Sequence, residues 1–120
     1  MKDKKMLKTI ILTGAVVCLL IANKPKMLTA SYYGPRYDGR PTASGQLYSH
    51  KGYTCASWDY PLGTKLRVSR GNKSVTVICN DRGPAKRLLS TRQLDLSQRS
   101  FQKLAPLQKG LILVKVEVIK

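Results

Sequence analysis

Alternation with a period of two, interrupted by glycine and proline, is the feature that most limits what this chain can fold into. In "GLILVKVEVI" (residues 110–119), Ile112, Val114, Val116 and Val118 fall on one face, and Leu111, Leu113, Lys115 and Glu117 on the other. That is the pattern of a strand with one face buried. "KLRVS" (65–69) repeats it with Leu66 and Val68, and "SVTVIC" (74–79) with Val75, Val77 and Cys79. Between these two runs, "RGNK" centres on Gly71-Asn72, a hairpin turn. "TASYYG" reads as an earlier strand stopped by Gly34-Pro35, and "QLDL" as a short later one. Residues 35–56 are rich in Gly, Pro and Tyr and read as loop. Only "LSQRSFQKLAP" carries a convincing helix: Ser97 offers an N-cap hydroxyl, Phe101, Leu104 and Ala105 form a short apolar stripe, and Pro106 stops it. The expected class is a small, mainly β barrel with one short helix.

The chain has 120 residues, with 22 Lys and Arg against 6 Asp and Glu. Only six of those basic residues lie in residues 1–30, so the domain itself is cationic and suited to a polyanion. "MKDKKMLK" followed by the uncharged apolar run Thr9 to Ala22 has the form of a secretory leader. Fourteen residues are short for a membrane span, which needs about 20, so residues 1–28 read as a signal peptide or a short membrane anchor. Residues 29–120 then form one exported domain, expected to act as a monomer. Export argues against nucleic acid as a partner and leaves an anionic cell wall or membrane surface. It also permits a disulfide between Cys55 and Cys79, which otherwise read as small buried hydrophobes. With His50 the single histidine and no Cys-x-x-Cys, neither a structural metal nor a cofactor is expected. Nothing resembles a P-loop, a dinucleotide fingerprint or a Ser-His-Asp set.

"CNDRGP" (79–84) places one of the few acids, Asp81, at the end of a β-branched run and inside a Gly-Pro turn. Taken alone, Asp81 is either an acid presented at the rim of a sheet or a strand-ending Asp bonded to its own backbone.

Four stretches in this order, "ASYYGPRYDGRPTASG" (30–45), "PLGTKLRV" (61–68), "VICNDRGP" (77–84) and "LDLSQRSFQKLA" (94–105), resemble the rare lipoprotein A family, RlpA. The resemblance covers residues 29–119. It implies a six-stranded double-psi β-barrel, related in fold to expansins and barwin. It also implies binding of peptidoglycan glycan strands and, in active members, lytic transglycosylase activity without a cofactor. That reaction leaves a 1,6-anhydro end and can be run by one carboxyl group, first as acid and then as base. Asp81 matches the family's catalytic aspartate. Asp95 matches its second aspartate, read either as a partner orienting the site or as an acid favoured beside a helix N-terminus. Tyr33 and the loop with Thr42 and Ser44 match cleft positions that hold sugar. Arg82 and Arg92 are candidates for wall carboxylates. The family's histidine is replaced by Ser57 in "TCASWDYPLGT", and a serine cannot stand in for an imidazole as acid or base. Asp59 is a possible substitute carboxyl there, and Trp58 a possible sugar platform. Two readings follow: a lytic transglycosylase using Asp81, and a non-catalytic, expansin-like wall-binding module.

Overall fold

The computed structural model describes residues 24–119. The leader assigned to residues 1–28 therefore lies almost entirely outside the described residues. Among the described residues, no helix is long and apolar enough to cross a membrane.

Six strands close into one barrel: β1 (Lys26–Tyr33), β2 (Thr54–Ala56), β3 (Lys65–Arg70), β4 (Lys73–Asp81), β5 (Leu94–Ser97) and β6 (Ile112–Ile119). Their order around it is β1-β5-β2-β4-β3-β6. β3, β4 and β6 pair antiparallel, whereas β1/β5 and β2/β4 are parallel. The hairpin falls where the sequence places it. Arg70 faces Lys73, and Gly71 takes a φ of 59°, at the first central position of a two-residue turn, where glycine is wanted.

The alternation sets the core. Leu66 and Val68 of β3, Val75, Val77 and Cys79 of β4, and Val114 and Val116 of β6 are buried with Leu28, Leu94 and Leu96. The single α-helix among the described residues, α1 (Gln98–Gln102), closes one end. Ser97 Oγ accepts from the Ser100 amide at 3.4 Å as its cap. Phe101, fully buried, lies 4.8 Å from the Tyr32 ring. Leu104 and Ala105 are buried beside it, as the stripe requires.

One strand departs from the sequence reading. β2 lies inside the segment read as loop. Its three residues are too few to show alternation, and pairing with β4 on one side and β5 on the other defines it.

Candidate active site

β2 is also the hinge of the site. Ala56 is the register partner of Asp81 on β4 and of Asp95 on β5, so the two acids flank one residue from opposite sides. At a strand spacing of about 4.8 Å, their Cα atoms stand about 10 Å apart. The β2–β4 register slips between Cys55 and Ala56: Cys55 faces Cys79, then Ala56 faces Asp81, leaving Asn80 unpaired. Regular alternation would send residue 81 toward the core with Cys79. The extra residue breaks that phase, which is how a bulge re-aims a side chain.

Asp81 lines a cleft of about 590 Å³ together with Asp95, Tyr33, Thr42 and Arg82. Its Oδ1 accepts from the amides of Ala43 at 2.9 Å and Arg82 at 2.8 Å. Oδ2 takes no hydrogen bond from the described residues. The "TASG" loop thus serves Asp81 through its backbone. Thr42 Oγ1 holds the loop's shape by donating to the Gln46 carbonyl at 2.7 Å, and the Ser44 amide ties the loop to the Asn80 carbonyl at 3.1 Å.

Asp95 is more enclosed. Burial raises its carboxyl above the ordinary value, the Ser31 hydroxyl bond and the Arg92 charge pull it down, and the Asp81 charge pushes it up. Gly83 passes close by. A Cβ there would lie 3.3 Å from Ala56 Cβ and 3.6 Å from Asp95 Oδ2, so the turn needs glycine for this approach.

Tyr33 lies in the cleft lining, as expected; its ring packs on Tyr48 at 4.2 Å and is met edge-on by Tyr37 at 6.0 Å. Its hydroxyl is buried without a partner, and burial, then the Asp81 charge, pushes its pKa far up. Tyr48, its neighbour, is pushed up to about 12 by burial.

Four expected residues lie outside the cleft lining. Ser57 is fully buried; its Oγ accepts from the Asp59 amide at 2.9 Å, so it shapes a turn. Asp59 is exposed on that turn. Trp58 donates Nε1 to the Pro84 carbonyl at 2.7 Å and carries the Lys86 ammonium 4.7 Å over its ring, which occupies one face. Ser44 is exposed on the outer side of its loop, bonded to Thr42. Arg82 reaches the cleft, but its Nη1 is committed to the carbonyls of Ser57 at 2.8 Å and Tyr60 at 2.6 Å, pinning the 57–60 turn.

Cys55 and Cys79 form the last regular rung before the bulge. Of the two readings open to the pair, a disulfide or two small buried hydrophobes, the second is the one seen: both are buried free thiols, joined by a hydrogen bond. That bond lowers Cys79 to about 7, aided by Arg82, and with burial raises Cys55. His50 closes a surface loop on Asp38 at 2.6 Å.

The sequence reading missed Arg36, Arg40 and Arg87, which line the cleft with Arg92. Arg36 and Arg40 bracket Tyr37 in "RYDGR", an aromatic between two basic residues, and that interleaving was the available signal.

Residues 26–116 match the model of a family described as lytic transglycolase. The chain belongs to that family. Within this RlpA-like double-psi β-barrel family, the endolytic peptidoglycan transglycosylase RlpA of Pseudomonas aeruginosa is 42% identical over 93 residues. The Neisseria meningitidis relative of the same name is 38% identical and the Campylobacter jejuni one 36%. These matches span 75–76% of this chain but only 26–37% of the relatives, so the chain corresponds to about a third of their length or less. Among solved structures, the Streptomyces papain inhibitor superposes with a TM-score of 0.65 at 23% identity, covering 81% of this chain and 96% of that one. An expansin of Clavibacter michiganensis, solved with cellohexaose, gives 0.64 at 17%, covering 80% and 50%. At such identities these two share the fold with the lytic transglycolase barrel.

Proposed function

We propose that this protein is an exported, peptidoglycan-active lytic transglycosylase in which Asp81 is the general acid and then the general base. The observation that carries the reading is the fixing of Asp81 at the cleft wall by two backbone amides on Oδ1, with Oδ2 left to face a substrate. The names of the relatives support the substrate class.

In the first step the bond from C1 to the bridging oxygen breaks, its electron pair goes to that oxygen, and the Asp81 proton follows. In the second, the 6-hydroxyl of the same sugar closes on C1 and its proton returns to Asp81. The carboxyl is restored, and no water or cofactor is consumed. One well-held acid is enough for this cycle, unlike the carboxylate pair of most glycosidases. Asp95 stands beside it as the positioning acid, and Ser57 acts through the turn that Arg82 holds.

The test is digestion of purified glycan strands by the full chain, with products read by mass spectrometry. Anhydro-muramyl ends are expected. Products with free reducing ends would make it a hydrolase, and intact strands would remove the enzyme.

A further inference from the structure

The cleft is lined by five arginines and two aspartates, leaving an excess of three positive charges. Among the described residues, the ion pairs are His50–Asp38 and Lys115–Glu117, so no cleft arginine is neutralised by a carboxylate within ion-pair distance. Arg82 is accounted for by the carbonyls it holds. The other four are not.

Arg36 and Arg40 lie 4.8 Å and 5.0 Å from the centre of the same Tyr37 ring, and Arg36 also donates to the Tyr37 hydroxyl at 2.7 Å. The ring holds both guanidiniums in place. It also keeps two like charges close together, an arrangement that a bound anion relieves. Arg92 has its Nε buried with no acceptor, a donor whose desolvation nothing offsets. Arg87 makes no side-chain hydrogen bond among the described residues.

We infer that Arg36, Arg40, Arg87 and Arg92 form a carboxylate-binding site along the cleft, which takes the acidic groups carried by a polysaccharide strand. The inference rests on the reading of the substrate as wall glycan and names what the protein recognises on it. Guanidinium forks match carboxylates in a bidentate way, and a neutral glucan or chitin chain would leave them uncompensated. Two sources on a wall strand share this chemistry: the lactyl group of the sugar, and the stem peptides where these are attached.

Affinity of the full chain is measured for four probes: muramyl strands stripped of peptide, the same strands with carboxyls amidated, strands bearing peptides, and an N-acetylglucosamine hexamer. At low salt the stripped strands are expected to bind at least about tenfold tighter than the amidated strands or the hexamer. That margin shrinks between about 50 and about 500 mM salt. The double variant Arg36→Gln/Arg40→Gln, and Arg92→Gln separately, should lower affinity for stripped strands about fivefold or more, with the hexamer held within about twofold. Arg87→Gln repeats the test on a side chain without hydrogen bonds. Binding of both stripped and peptide-bearing strands no tighter than that of amidated strands, or equal weakening of all three by the arginine changes, overturns the inference. Peptide-bearing strands name the source. A margin on stripped strands alone assigns the lactyl group, a margin on peptide-bearing strands alone assigns the peptide carboxylates, and a margin on both assigns both. Binding is scored without cleavage, so an inactive protein would defeat the transglycosylase reading and leave this one standing or falling by itself.

Discussion

On the β3–β4–β6 side of the barrel every rung is antiparallel and runs in register, from Lys65 opposite Ile119 to Ser69 opposite Lys115. Inward positions there are Leu66, Val68, Val75, Val77, Val114 and Val116, and outward ones are mostly charged or polar. The cleft side differs in each respect. Its pairing is mixed, parallel for β1/β5 and β2/β4 but antiparallel for β2/β5; β2 has three residues, and a bulge interrupts the rung at Asn80. The buried side-chain polar atoms without partners among the described residues are those of Tyr33, Thr54, Asn80 and Arg92. Tyr33 and Arg92 line the cleft, Thr54 lies on β2 and Asn80 at the bulge of β4, and none belongs to β3 or β6. Unsatisfied buried groups destabilise a fold, and two of these, the Tyr33 hydroxyl and the Arg92 Nε, belong to residues of the cleft lining. One wall holds the barrel together, and the other keeps polar groups ready at some loss of stability.

Substitutions can break that division. The largest effect is expected from Leu66→Ala in the regular wall. Leu66 is fully buried, and deleting its branched end should cost about 2–5 kcal/mol. That is a large part of the roughly 5–15 kcal/mol of a small domain. Denaturant melts would show it, while the cleavage rate per folded molecule stays near that of the parent. A rate that falls further would tie the wall to the chemistry.

Gly83→Ala should come next, at about 1–3 kcal/mol, because the added methyl meets Ala56 on a buried strand that cannot retreat. Unlike the wall change, it should also slow cleavage of the folded fraction, since Asp95 is its other neighbour. A variant as stable and as active as the parent would show that the turn has slack.

Asp95→Asn should give the smallest change in stability, and one visible mainly through its pH dependence. The folded pKa of Asp95 is raised, chiefly by burial, so the native state holds its proton to higher pH than the unfolded chain does. Its contribution is therefore favourable at low pH and is lost as pH rises through the raised folded value. The Asn variant can still accept from Ser31 but has no proton to lose, so its melting temperature should stay flatter across that window. A slope identical to the parent's would assign the pH dependence elsewhere.

The two halves were also unequally legible in the sequence. Hairpin, last strand and helix stop were plain, because alternation, Gly71-Asn72 and Pro106 act locally. β2 and the bulge were not, since a three-residue strand has no period and register is set by partners distant in sequence. Asp81, Asp95, Tyr33, Thr42 and Arg82 were placed in the cleft by motif. The sequence reading also put Ser57, Trp58, Asp59 and Ser44 there, although the turn after β2 directs the first three elsewhere and Ser44 is exposed on the loop before β2. Arg36, Arg40 and Arg87 went unseen because one basic residue among 22 looks like any other until the fold gathers them.

The most direct measurement is the rate of anhydro-muramyl product release by Asp81→Asn, taken with its melting temperature. The asparagine oxygen can still accept from the Ala43 and Arg82 amides, so the fold should be kept. The account predicts a rate at least about a hundredfold lower, the scale of a lost general acid–base group, with melting little changed. A variant that releases product at the parent rate would contradict it.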